Sequence, residues 1–175
     1  LPALRKLQQD GKVKFLGVTG LPLNIYTKVL EQTDLDLVLS YCHYSLNDNN
    51  LERLIPYLKE KQVGIINASP LSMGLLAEGG PPEWHPASEA IKNACKEAVQ
   101  FCLERGSSLR ELALQYSTSN SDISCTVVGM QRPEFVESNV AALEKTLDTE
   151  LLKEIEAILA PIHNQTWPSG LPENN

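Results

Sequence analysis

Four short segments hold the residues that could do chemistry, and each follows an apolar run. In GVTG, Gly17 to Gly20, Thr19 offers a hydroxyl and Gly20 lets a ligand approach the backbone. The same two glycines would equally serve a tight turn. In YCHYSL, Tyr41 to Leu46, Tyr41 presents a ring that could stack on a planar ligand. His43 could act as a general base, although a lone histidine at a strand end is more often a packing residue. NASPLSMGLL and the AEGGPPEWHP after it, Asn67 to Pro86, form a connection of about twenty residues, a length typical of lids, binding loops or disordered insertions. Gly74, Gly79 and Gly80 could hinge it and Trp84 could anchor it. Ser69 lacks the G-x-S-x-G setting of a nucleophile elbow. In VVGMQRPEF, Val127 to Phe135, a strand gives way to a helix at Pro133. The free N–H groups of that helix start attract anions, and Arg132 adds a positive charge.

The chain contains no G-x-G-x-x-G and no Walker loop, which argues against the common dinucleotide and P-loop sheets. No carboxylate pair stands at a strand end. The residues read as a binding surface without an evident acid, base or nucleophile.

The elements that must position these segments alternate. Val13 to Val18, Asp36 to Tyr41, Val63 to Ala68 and Cys125 to Gly129 read as strands, nearly continuous apolar runs of the kind expected when helices cover both faces or one face closes a barrel. Between them lie segments with a 3.6-residue period. Leu4 and Leu7 lead to a stop at Gly11, and Pro22 opens a helix carrying Tyr26, Val29 and Leu30. Leu51, Leu54, Ile55 and Leu58 share a face, with a kink or late start at Pro56. Ala87 to Cys102 form a long helix. Ser108 and Glu111 make a capping box, Pro133 opens a helix with Val136, Val140 and Leu143, and Thr149 caps the last one. Strands joined by helices run parallel, so the choice is an open doubly wound sheet or part of a barrel. An eight-stranded barrel needs about 250 residues, and four strands in 175 residues are near half of one. The chain also opens inside a helix with no strand before it. The segment from Pro161 to Asn175 reads as an irregular surface tail.

Bulk composition narrows the partners. A net charge of -7 disfavours a non-specific nucleic-acid binder and an anionic membrane surface. No apolar run is long enough to span a bilayer. Cys42, Cys95, Cys102 and Cys125 form no C-x-x-C pair and have no histidine at metal spacing, so they read as reduced thiols of a cytoplasmic protein.

GVTG, YCHYSL, SPLSMGLL and VVGMQRPEFVESN, in that order, resemble the C-terminal half of an aldo-keto reductase. The likeness covers essentially the whole chain. It implies an α/β fold, strands five to eight of a (β/α)8 barrel over residues 1–160, and a tail at 161–175. It also implies a nicotinamide dinucleotide bound in extended form without a Rossmann fold. On this resemblance Thr19 and Gly20 stand where the family holds the nicotinamide amide with Ser and Asn. Tyr41 replaces the amide-binding Gln, and Ala68 replaces a stacking Tyr. Ser69, Pro70 and Leu71 receive the pyrophosphate, with Gly74 in the cofactor-covering loop. Gly129, Met130, Gln131 and Arg132 match the adenosine-phosphate segment, and Asn139 matches the adenine contact. Phe135 stands where NADP-dependent relatives often carry an Arg, which favours NAD, with Arg132 near enough to accept NADP. The resemblance further implies a small-molecule sugar substrate, for which His43, Tyr44 and Trp84 are the candidate contacts. The family's catalytic Asp, Tyr, Lys and His belong to the first four strands, so no catalytic residue is assigned here. The remaining partner is a missing N-terminal half-barrel, or a second copy meeting unpaired edges.

Overall fold

A computed structural model describes all residues, 1–175. Helix α1 (Pro2–Gln9) leads into strand β1 (Gly17–Gly20), helix α2 (Asn24–Leu30) and strand β2 (Leu37–Tyr41). A 3-10 turn (Asn50–Arg53) and helix α3 (Ile55–Glu60) connect to strand β3 (Gly64–Ala68). Helices α4 (Glu89–Glu104) and α5 (Leu109–Thr118) precede strand β4 (Cys125–Val127), and helices α6 (Pro133–Glu144) and α7 (Thr149–Leu159) follow it. The order of elements agrees with the alternation in the sequence.

The four strands form one parallel sheet in chain order, β1-β2-β3-β4. β1 begins four residues later than the VKFLGV run suggests. Leu16 N–H is held by the Asp36 carboxylate at 2.7 Å, so pairing with β2 starts only at Gly17. A Cβ at Gly17 would lie 2.6 Å from the Leu37 side chain, so only glycine permits that approach. β4 closes at Val127, two residues short of Gly129.

The register sorts the sheet into two unlike faces. Val38 and Ile65 are neighbours on one face and are 0% and 1% exposed. They pack with Tyr26 of α2 and with Ile55 and Leu58 of α3. Burying each such aliphatic side chain is worth about 1.5–3 kcal/mol. On the other face Thr19, Leu39, Ile66 and Cys125 make one row, and Tyr41, Ala68 and Val127 the next. None of these is fully buried. Of the two arrangements that such apolar runs allow, helices on both faces or one face closing a barrel, the structure has helices packed on one face only.

A second core lies beyond the sheet, where α4, α5 and α7 meet. Cys95 and Cys102 share the inner side of α4 at 0% exposure, as their spacing suggests, and all four cysteines are free.

Several helix ends differ from expectation. α2 starts at Asn24, leaving Pro22 in the preceding turn. Ser108 Oγ accepts from Glu111 N–H, but the Glu111 carboxylate turns to Lys145 at 2.7 Å instead of completing the box. Asp148, not Thr149, caps α7, because its carboxylate accepts from both Glu150 and Leu151 N–H. On α6 the buried residues are Asn139 and Ala142, while Val136, Val140 and Leu143 are 43%, 55% and 50% exposed. The tail is not a surface segment throughout: Ile162 and Trp167 are 4% and 5% exposed within the second core.

Candidate functional site

The C-terminal ends of β1, β2 and β3 open on the same edge of the sheet, where parallel α/β folds bind ligands. Thr19 is exposed on the uncovered face, and Tyr41 is half-buried in register with Ala68. Gly20 ends β1 with its absent Cβ directed at α2. An added Cβ would meet Ile25 at 3.0 Å, so the small residue serves helix packing here. Tyr26 ties the end of β1 to the middle of β2, its hydroxyl lying 2.6 Å from Gly20 O and 2.7 Å from Leu39 O. Burial pushes that phenol up to about 12.

Left-handed residues cluster just beyond these strand ends. Cys42, Ser69, Ser72 and Met73 have φ of 63°, 58°, 48° and 55°. Such conformations cost about 1–3 kcal/mol each for residues with a side chain, and they concentrate at ligand clamps. Burial raises the Cys42 thiol to about 12, so it is a packed group and not a nucleophile.

The long connection after β3 is anchored, not loose. Ser72, Leu75 and Leu76 are all at most 2% exposed. Gly74, at φ 101°, lets the chain pass against Gly80, since a Cβ there would lie 2.9 Å from Gly80 O. His85 pins the far side: its Nε2–H donates to Ser72 O at 3.3 Å, its Nδ1 accepts from Ala87 N–H at 3.1 Å, and Trp167 meets its ring edge-on at 4.8 Å. The tip around Glu78 to Trp84 is its most exposed stretch.

At the other end of the sheet edge lies the start of α6. Gly129, Met130, Gln131 and Arg132 are exposed, and Met130 to Pro133 line a hollow of about 510 Å³ with Val136 and Glu137. The Phe135 ring lies between two guanidinium groups, Arg110 at 4.5 Å and Arg132 at 5.5 Å. Arg110 reaches from α5 to donate to Asn139 Oδ1 at 2.8 Å and Ser138 Oγ at 3.2 Å. Arginine only donates, which fixes the Asn139 amide with its oxygen toward Arg110 and its nitrogen free. That Nδ2 is buried without a partner.

The three substrate candidates are not brought together. His43 is 3% exposed and lines a cavity of about 500 Å³ with Leu21, Arg53 and Trp167. Its Nδ1 lies 3.0 Å from the buried carboxylate of Asp48. Tyr44 faces the first core instead, stacked on Tyr116 at 5.4 Å. Trp84 is 71% exposed on the loop tip. Sequence reasoning passed over Asp48 and Arg110. Asp48 carried a faint signal, an Asp in a polar turn five residues after a strand-end histidine. Arg110 carried none, because nothing in a helix sequence marks its reach to the next helix.

The aldo/keto reductase family profile matches residues 1–160. The chain belongs to the aldo/keto reductase family. Among its relatives, L-galactose dehydrogenase of Arabidopsis thaliana is 54% identical over 99% of this chain and 57% of its own length. D-arabinose 1-dehydrogenase of Saccharomyces cerevisiae is 32% identical over 98% of this chain and 58% of its own. A solved aldo-keto reductase from Bacillus halodurans, in a holo form, superposes with a TM-score of 0.69 at 22% identity. It covers 96% of this chain, which covers 57% of it, and the likeness is one of fold. This aldo/keto reductase chain thus spans a little over half the length of these relatives. No helix is long and apolar enough to cross a membrane.

Proposed function

We propose that this chain is the dinucleotide-holding half of an L-galactose dehydrogenase, which oxidises L-galactose at C1 to L-galactono-1,4-lactone with NAD during cytoplasmic ascorbate synthesis. The observation that carries the reading is 54% identity to a protein of that name over nearly the whole chain.

The four strands are then strands five to eight of an eight-stranded barrel. The uncovered sheet face and the exposed Val136, Val140 and Leu143 of α6 support this, since further strands and helices would cover both. A second copy fits less well as the cover. Closing β4 of one copy on β1 of another would bring α6 and the other copy's α1 to one seam, where strand–helix alternation supplies a single helix.

The residues fit an extended dinucleotide in part. Thr19 and Tyr41 would face the nicotinamide end, Ser69 to Leu71 and Gly74 the pyrophosphate, and Gly129 to Arg132 the adenosine phosphates. The unpartnered Nδ2 of buried Asn139 is a donor waiting for an acceptor such as an adenine nitrogen. When bound, the nicotinamide ring accepts hydride. Phe135 offers no charge to a 2′-phosphate, which favours NAD. The groups that move the substrate's protons would come from the other half of the barrel, and this chain alone would be inactive.

The 32% identical D-arabinose 1-dehydrogenase supports a second reading, an aldose dehydrogenase with another sugar. Steady-state rates in a protein carrying both halves separate the two. A higher kcat/KM for L-galactose than for D-arabinose supports the first reading, and the reverse order supports the second.

A further inference from the structure

The tail is built into two loops at the C-terminal edge of the sheet. At one end it fills a polar socket. The loop after β2 buries Ser45, Asn47 and Asp48 at no more than 1% exposure, and polar groups beside them turn to the tail. Asn164 N–H donates to Asn47 O at 3.0 Å, its Oδ1 accepts from Asn49 N–H at 2.8 Å, and its O accepts from Asn50 Nδ2 at 3.2 Å. Asn164 makes these bonds at φ 62°. Asparagine tolerates this left-handed backbone better than most residues with a side chain, and it still offers an amide oxygen. The socket uses both properties.

Three residues on, Trp167 is 5% exposed and meets the His85 ring edge-on at 4.8 Å. His85 belongs to the loop after β3, and its Nε2–H holds Ser72 O near the start of that loop. The ring thus pins the two sides of the loop together, and the tail packs against the pin. The loop tip has a tie of its own, where Ser108 Oγ donates to Glu78 Oε1 at 2.8 Å in an exposed place. A hydrogen bond in water holds little, whereas an indole withdrawn from water is among the larger apolar surfaces a chain can bury. Gly74 at φ 101° and Gly80 at φ 66° leave the backbone between them free to swing. The stronger restraint on the loop is therefore the tail.

We propose that tail residues 162–167 are a clasp across the two loops: seated in the socket at Asn164, they press Trp167 on His85 and hold the loop after β3 closed, and when the socket lets go the loop opens with it. Such a unit opens cooperatively, because each packed contact depends on the other. A dinucleotide under the loop would then leave when the tail is released. That consequence rests on the dinucleotide reading; the clasp itself does not.

Hydrogen exchange of the 175-residue chain tests it. The reporters are the hydrogen-bonded amides of Leu75, Leu76, Ala77, Gly80 and His85. Asn164→Ala acts at the socket, on bonds made to the other loop. Exchange at the reporters is expected to be at least fivefold faster in Asn164→Ala and in Trp167→Ala, and to stay within twofold in Glu78→Ala, which cuts only the exposed tie. Faster exchange confined to residues 45–50 and the tail overturns the proposal, as does a loop opened equally by Glu78→Ala. Where a variant unfolds as a whole, the native chain decides alone. In rising denaturant the amides of Asn164, Gln165, Leu76 and His85 should open with one free energy and one slope, and separate slopes overturn the clasp. In a protein carrying both barrel halves, Asn164→Ala should speed NAD release at least threefold. Unchanged release with an opened loop sinks only the dinucleotide consequence.

Discussion

Arg110 donates to Asn139 Oδ1 at 2.8 Å, an arginine of one helix setting the amide of the next. The contact leaves Asn139 Nδ2 buried and unpartnered beside a ring flanked by two guanidinium groups. Arg110→Ala is expected to let that amide turn. Leaving a buried polar group unsatisfied costs about 1–3 kcal/mol, so in a protein carrying both barrel halves KM for NAD should rise roughly tenfold with kcat little changed. Affinity for nicotinamide mononucleotide, which has no adenine, should not move. An equal loss for both nucleotides would remove Asn139 from the adenine end.

Tyr26 bridges β1 and β2 with one hydroxyl. Tyr26→Phe removes the single proton shared between two carbonyls in a part-buried place and should destabilise the fold by about 1–3 kcal/mol. Chemical unfolding reads this directly. A change below a few tenths of a kcal/mol would mean that water replaces the phenol.

His85 makes stability depend on pH. Burial pulls the ring below its ordinary 6.5, and Lys92 pushes the same way against the bond to Ser72 O. A proton on Nδ1 would also forfeit the bond from Ala87 N–H. The unfolded chain therefore takes up the proton first. The contribution is complete above about pH 6.5 and is lost as pH falls through the folded value. Thermal midpoints between pH 7.5 and 5 should fall less in His85→Gln than in the native chain. Parallel curves would assign the acid sensitivity elsewhere.

Much of this fold was legible because its signals are local. Apolar runs, the spacing of Cys95 and Cys102, Gly11 after α1 and Pro133 at the start of α6 each act over a few residues. What escaped depends on contacts distant in sequence. Tyr44 reads as a strand-end aromatic, yet Tyr116, seventy-two positions on, draws it into the core. Trp167 sits in a Pro-rich tail and reads as surface until His85 supplies its pocket. Thr19 lies in β1 and Arg132 immediately before α6, where the local pattern puts them along the chain. Arg110 and Asp48 belong to packing between elements, which no spacing rule records.

The apolar stripe of α6 marks an unmatched surface. Replacing Val136, Val140 and Leu143 with serine should raise the solubility of the chain alone, because each is at least 43% exposed. In a protein carrying both barrel halves the same change should lower the unfolding temperature. Equal behaviour in the two contexts would mean that nothing covers this helix.

The most direct test joins the chain to an upstream aldo-keto reductase half and follows NADH absorbance with L-galactose and NAD, beside the 175-residue chain alone. Turnover in the joined protein and none in the short chain is the expected result. Turnover by the short chain would contradict it and place catalytic groups within these residues, with His43 the first to replace. A folded joined protein that binds NAD but leaves L-galactose untouched would contradict the substrate.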